Sequence, residues 1–164
     1  MTNRIATRYN TLFHRYSLEF FGPEFDWLWF RAQGLAESML DPQAVSPAGA
    51  IGLMQLMPGT SAEMADRLGI PDDPYNPEFS IRAGIAYDRR CWDIWQKEVG
   101  IERIRFMLAS YNAGPGHIIK AQRLAAIKNR WSSVKTQLAS VTGWDNAMET
   151  ITYVRRIEKI YGPV

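Results

Sequence analysis

The sequence predicts an all-α fold, and three observations carry that prediction. Apolar residues recur three and four positions apart along most of the 164 residues. No segment sustains the period-two alternation of β-branched residues that a half-buried strand requires. The breaks between helical patterns fall on Gly, Pro, Asp and Asn, the residues that cap and stop helices. At most a small β-ribbon fits, in residues 41–57, where turn residues are dense.

Leu12, Phe13, Tyr16 and Phe20 share one helical face, which predicts a helix over 9–21 ended by Gly22-Pro23. Asp26 is placed to cap a second helix, 27–40, closed by Asp41-Pro42. Trp27, Leu28, Trp29, Phe30, Ala32, Leu35, Ala36 and Met39 cover most of its circumference, so it should be central and buried. Thr60 or Ser61 opens a short helix to Leu68, with Gly69 as its stop.

The run IPDDPYNPEFS is turn chemistry throughout. A long helix then runs over 77–99 with Phe79, Ile81, Ile85, Trp92 and Trp95 on its inner face, and Gly100 ends it. A helix over 101–112 is broken by NAGPG, and helices over 117–128, 131–138 and 146–160 complete the chain. Neither repeats nor an interdomain linker stand out, so residues 1–164 are expected to form a single domain.

Composition narrows the function. With 46% hydrophobic and 22% charged residues the chain is an ordinary globular protein, able to bury a core without disulfides or metals. Its single cysteine, Cys91, falls mid-helix among aromatics and reads as a structural thiol. A net charge of +2 favours an anionic surface only mildly, and the pairs Arg89-Arg90 and Arg155-Arg156 are too short for a nucleic-acid stripe. No run approaches the roughly 18 apolar residues of a membrane span. Arg4, Arg8, Asn10, His14 and Arg15 interrupt the N-terminal segment, so no signal-peptide core is expected there, and work outside the cytoplasm would need another route of delivery.

Several chemistries find no footing. His14 and His117 are far apart and no Cys or carboxylate cluster has ligand spacing, so no metal is expected. Neither histidine sits in a nucleophile motif, and Gly49, Gly52 and Gly59 neither follow a strand nor precede a Lys, as a phosphate cradle would. What remains is a carboxylate, Glu37, in the last turn of a largely apolar helix. The negative end of the helix dipole and partial burial would both favour its protonated form, which suits a general acid. Periodicity alone nevertheless favours a Glu37 that faces water and has no role.

The segment that follows, DPQAVSPAGAIGLMQLMPGTS, is long and irregular. Its glycines read equally as positive-φ turn residues, and Leu53, Met54, Leu56 and Met57 as core. Irregular connections of this length in compact domains are usually functional. Glycine permits close backbone approach to a ligand, and Ser46 and Gln55 offer the hydrogen-bonding groups a sugar requires.

These residues also form a pattern. ESMLDPQAVSPAGAIGLMQLMPGTS, then NPEFSIRAGIAYDRR, MLASYNAGPGHI and ETITYVRRIEKIY resemble, in order, the blocks of the soluble-type lytic transglycosylases of glycoside hydrolase family 23, relatives of goose-type lysozyme. The blocks cover residues 27–161, and the departures, Gly59, Ser61 and ASYN in place of AAYN, touch no proposed catalytic group. The segment before residue 27 and the stretch KNRWSSVKTQLASVTGWD are the least family-like.

The resemblance implies a mainly α, lysozyme-like fold and cleavage of the β-1,4 bond between N-acetylmuramic acid and N-acetylglucosamine in peptidoglycan. By position in the motif Glu37 would be the single catalytic acid/base, and the product a 1,6-anhydro sugar. Ordinary glycosidases need two carboxylates, but a nucleophile supplied by the substrate's own 6-hydroxyl needs only positioning. Ser46 and Gln55 would bond the muramic acid and Met57 pack against it, although Met57 reads nearly as well as core. Tyr111 would sit near Glu37 with Asn112 beside it; without the motif it reads as a core tyrosine. Glu149 would face the sugar from the last helix, with Tyr153 supporting that wall.

The expected partner is therefore the peptidoglycan glycan strand, met by a monomer at the bacterial wall, with no cofactor, nucleic acid or membrane span. A phage endolysin or virion-associated enzyme is the setting that suits the missing signal sequence, though a piece of a longer envelope protein would also fit. A hydrolysing muramidase on the same fold, or a non-catalytic glycan-binding module, are the other readings. The co-occurrence of Glu37, Tyr111 and Glu149 argues against the last.

Overall fold

The computed structural model of the protein describes residues 7–162. They form two compact units, the first up to Tyr87 and the second from Asp88. Among the described residues there is no β-strand, and no helix is long and apolar enough to cross a membrane.

In the first unit, α1 (Asn10–Phe21) packs against α2 (Leu28–Ser38). Their contact is close because Gly34 has no side chain: a Cβ there would lie 2.9 Å from Phe13 Cζ and 3.2 Å from Leu53 Cδ2. Phe13 and Phe30 are fully buried, and Phe21, Phe25 and Phe30 cluster at centroid separations of 4.6 to 5.0 Å. Each such side chain contributes roughly 1.5–3 kcal/mol on burial. α2 begins one residue later than expected, at Leu28 with Trp27 in the cap position, and Asp26 Oδ1 accepts from the Leu28 amide at 3.0 Å.

The other end of α2 differs from expectation. The helix stops at Ser38, because Met39 and Leu40 both adopt left-handed backbone (φ 57° and 63°). This unwinding turns Met39 outward to 61% exposure and buries Leu40. The expected ribbon in 41–57 reduces to two isolated antiparallel bridges, Val45 with Ile51 and Ile51 with Leu56. Then α3 (Pro58–Leu68) begins two residues before Thr60, with Pro58 at its first position, and ends at Gly69 as the sequence indicates. Asn76 Oδ1 accepts from the amides of Glu78 and Phe79 and so caps α4 (Pro77–Ile94). The boundary between the two units falls within α4.

The second unit contains α5 (Gly100–Ala113), α6 (Pro115–Leu124), α7 (Trp131–Val134), a 3₁₀ turn (Lys135–Gln137), α8 (Leu138–Thr142) and α9 (Trp144–Tyr161). α4 ends at Ile94 rather than near 99, and Gly100, read from sequence as a stop, instead opens α5. Burial of Trp95 explains the early end: its ring packs on Phe106 at a centroid separation of 4.8 Å, tilted by 49°, and its Nε1 donates to Ser110 Oγ at 2.9 Å. Likewise α6 starts at Pro115 and stops at Leu124, where Ala125 turns extended. α9 packs on α5 and α8, and α6 on α5 and α8, around Phe106, Leu108, Ile118, Leu138 and Ile157.

Candidate functional site

Glu37 is the next-to-last residue of α2, half-buried at the negative end of the helix dipole. What fixes this helix end is its neighbour. Ser38 Oγ donates to the Leu53 carbonyl at 2.7 Å and accepts from the Asp41 amide at 3.1 Å. The Asp41 amide also donates to the Ser38 carbonyl at 3.1 Å, so the side chain after the glutamate reinforces the turn that closes the helix and, through Leu53, pins the loop to it.

The loop is braced from within. Ser46 Oγ accepts from the Ala50 amide at 2.9 Å. Gln55, itself left-handed at φ 49°, donates from Nε2 to the carbonyls of Gly52 (2.8 Å) and Ala44 (3.2 Å). Its Oε1 carries none of those bonds, so the carbonyl end of the amide is what a ligand can use. Leu53, Met54 and Leu56 are core, as their apolar character suggests, whereas Met57 is 47% exposed and does not fill the core.

The glycines of this loop divide. Gly52 (φ +79°) makes its close approach to the protein itself: a Cβ there would lie 2.0 Å from the Pro74 carbonyl oxygen. The next turn is held by Ser80, whose Oγ accepts from the Met54 amide at 3.0 Å. By contrast, a Cβ at Gly49 or Gly59 would meet nothing within 4 Å.

In the second unit the NAGPG break and the last helix supply a further group of predicted residues. Asn112, at the end of α5, lies against α9, where its Oδ1 accepts from Thr150 Oγ1 at 2.8 Å. That bond orients the amide, so Nδ2 points at Glu149 Oε1, 3.5 Å away. Asn112 and Glu149 line a polar cleft of about 310 Å³ together with Thr150, Asn146, Thr142 and His117. His117 holds its ring against the Ala113 carbonyl through Nδ1 at 2.7 Å, a contact in which Nδ1 donates. Tyr111 and Tyr153 do not line this cleft; both are buried, at 8% and 9% exposure.

Sequence reading thus missed Ser38, Thr150, Asn146, Thr142 and His117. Ser38 and Thr150 each directly follow a predicted glutamate, and that adjacency was the available signal. Thr142 lies within, and Asn146 just beyond, a stretch that matches no motif, and only the packing of α8, α9 and α5 brings them to the cleft.

Residues 29–134 match the family model described as the transglycosylase SLT domain. Among curated proteins, the chain is 35% identical to the membrane-bound lytic murein transglycosylase F of Vibrio cholerae, over 94% of this chain and 30% of that protein. It is 34% identical to the corresponding protein of Photobacterium profundum, over 94% of this chain and 31% of that one. The chain therefore spans about a third of the length of these relatives. Among solved structures, the 70 kDa soluble lytic transglycosylase of Escherichia coli aligns with a TM-score of 0.68 at 27% identity, over 96% of this chain and 24% of that one. An inactive glutamate-to-glutamine mutant of the lytic transglycosylase Slt of Pseudomonas aeruginosa aligns with a TM-score of 0.72 at 25% identity, over the same shares.

Proposed function

Because the chain belongs to the transglycosylase SLT domain family, we propose that it is a peptidoglycan lytic transglycosylase with Glu37 as its single acid/base. The observation that carries the reading is the construction of the α2 end: a half-buried glutamate followed by a serine that ties helix to loop. A catalytic acid must be held within a fraction of an ångström of its target, and a glutamate on a frayed helix end would not be. The inactive glutamate-to-glutamine form of the Pseudomonas aeruginosa relative supports a glutamate as the reactive group.

In the proposed reaction the Glu37 carboxylic acid protonates the oxygen between N-acetylmuramic acid and N-acetylglucosamine, and that C–O bond breaks. The carboxylate left behind takes the proton of the muramic acid 6-hydroxyl as its oxygen bonds to C1. Glu37 ends protonated as it began, no water is consumed, and the product is a 1,6-anhydro ring. We assign substrate contacts to Ser46, Gln55, Met57, Tyr111, Asn112, Glu149 and Tyr153. Asn112 and Glu149 present a paired amide and carboxylate, which suits a sugar that both donates and accepts.

Digestion of purified sacculi with mass spectrometry of the fragments tests this reading. Anhydro-muramic ends are expected. Reducing muramic ends would mean hydrolysis by a positioned water, and no fragments would leave a glycan-binding module. The proposed setting is that of a phage endolysin or virion-associated wall enzyme. Cytoplasmic expression with and without a membrane-permeabilising protein tests it, with lysis expected only when both are present.

A further inference from the structure

The second unit holds another cavity, of about 260 Å³, on a different face of α9. Glu149 and Thr150 turn to the cleft described above, whereas Ile151, Arg155 and Glu158, spaced four and three apart, turn to this one. Trp131 and Ile151 give it an apolar wall, and Lys135 and Ser132 close it from the α7 side.

Its cations are of two kinds. Arg105 is clamped: Nε donates to Glu158 Oε1 at 2.7 Å and Nη1 to Glu102 Oε1 at 3.0 Å. Burial alone would lower the pKa of this guanidinium, but the bonds to the two carboxylates outweigh it and raise the value. Glu102 is further committed, since its Oε2 accepts from the Trp131 amide at 2.6 Å. Both carboxylates are thus used in holding Arg105, whose Nη2 takes no part in either bond. Lys135 and Arg155 are of the second kind: no hydrogen bond or ion pair to another described residue engages either side chain, nor that of Ser132. The cavity lining thus carries three cations, Arg105, Lys135 and Arg155, against one carboxylate, Glu158, which Arg105 engages.

We propose that this cavity binds an oxyanion group, a phosphate or a carboxylate, between Lys135 and Arg155, with Ser132 Oγ and Arg105 Nη2 as further donors. Charge-assisted donors converging on one concavity beside an apolar wall are what holds such a group on a larger ligand. Bacterial envelopes offer both chemistries, in phosphodiester polymers and in acidic peptides. The site stands independently of whether the chain cleaves glycan.

The test is ¹H–¹⁵N NMR titration of the folded chain with inorganic phosphate and, separately, with N-acetyl-Ala-Glu, at ionic strength held constant with chloride. Saturable shifts are expected at the amides of Ser132, Lys135 and Arg155, and the tighter probe identifies the source chemistry. Lys135→Ala combined with Arg155→Ala should weaken binding at least about tenfold, which is about 1.4 kcal/mol. Lys120→Ala, an exposed lysine away from the cavity, should leave binding unchanged. No saturable shift with either probe, or an equal loss in Lys120→Ala, would overturn the proposal.

Discussion

The hydroxyl of Ser38 donates to the carbonyl of Leu53 across 2.7 Å and joins the end of α2 to the loop that follows it. Removing it leaves the Leu53 carbonyl and the Asp41 amide without this partner. Ser38→Ala should therefore cost about 1–2 kcal/mol in stability by chemical denaturation. It should also lower wall-lytic activity more than stability alone accounts for, because Glu37 loses the anchor next to it.

Gly52→Ala should be among the most damaging single substitutions in the first unit. The added methyl would meet the Pro74 carbonyl oxygen at 2.0 Å, on a backbone at φ +79° that an L side chain rarely adopts. Loss of about 3 kcal/mol or more is expected, read as a fall of several degrees or more in Tm. Gly49→Ala serves as the comparison, since its φ of +91° imposes the same backbone strain with nothing within 4 Å, and it should be the milder change.

Thr150→Val keeps the size of a buried side chain and deletes the hydroxyl that orients Asn112. The Asn112 amide is then free to turn from Glu149. If that pair contacts substrate, wall cleavage should fall roughly fivefold, about 1 kcal/mol, with the fold retained by circular dichroism. Unchanged kinetics would remove this corner of the cleft from the substrate site.

Tyr16 gives a pH-dependence in the first unit. Its pKa is raised, first by burial and then by its hydrogen bond to Glu78 Oε1 at 2.5 Å. A folded-state pKa above the unfolded one means that the folded chain holds the phenolic proton longer. The resulting stability is complete below the unfolded value near 10 and is lost as pH rises through the folded value. Denaturation curves should show wild type losing more stability above about pH 10 than Tyr16→Phe.

The helices were legible because their apolar periods are strong, and their errors share a cause. Where termination depends on long-range packing the sequence misleads. Met39 and Leu40 end α2 in left-handed backbone without a glycine, and Gly100 opens a helix because Trp95 has already turned the chain inward. The site divides in the same way. Glu37 stands out as a carboxylate at a helix end, but only the motif around it outweighs a spacing on the wheel that points to water. Asn112 and Glu149 came from motifs as well, but Thr142 and Asn146, which share their cleft, depend on the packing of α8 and α9 and carry no local signal.

The central claim rests on one carboxylate. Glu37→Gln changes an oxygen to a nitrogen on a half-buried side chain, so Tm and circular dichroism should match wild type. Release of anhydro-muramic fragments from purified sacculi should fall by at least about a thousandfold, as expected when the proton donor of a general acid–base mechanism is removed. Retention of wild-type fragment release by this folded variant would contradict the account.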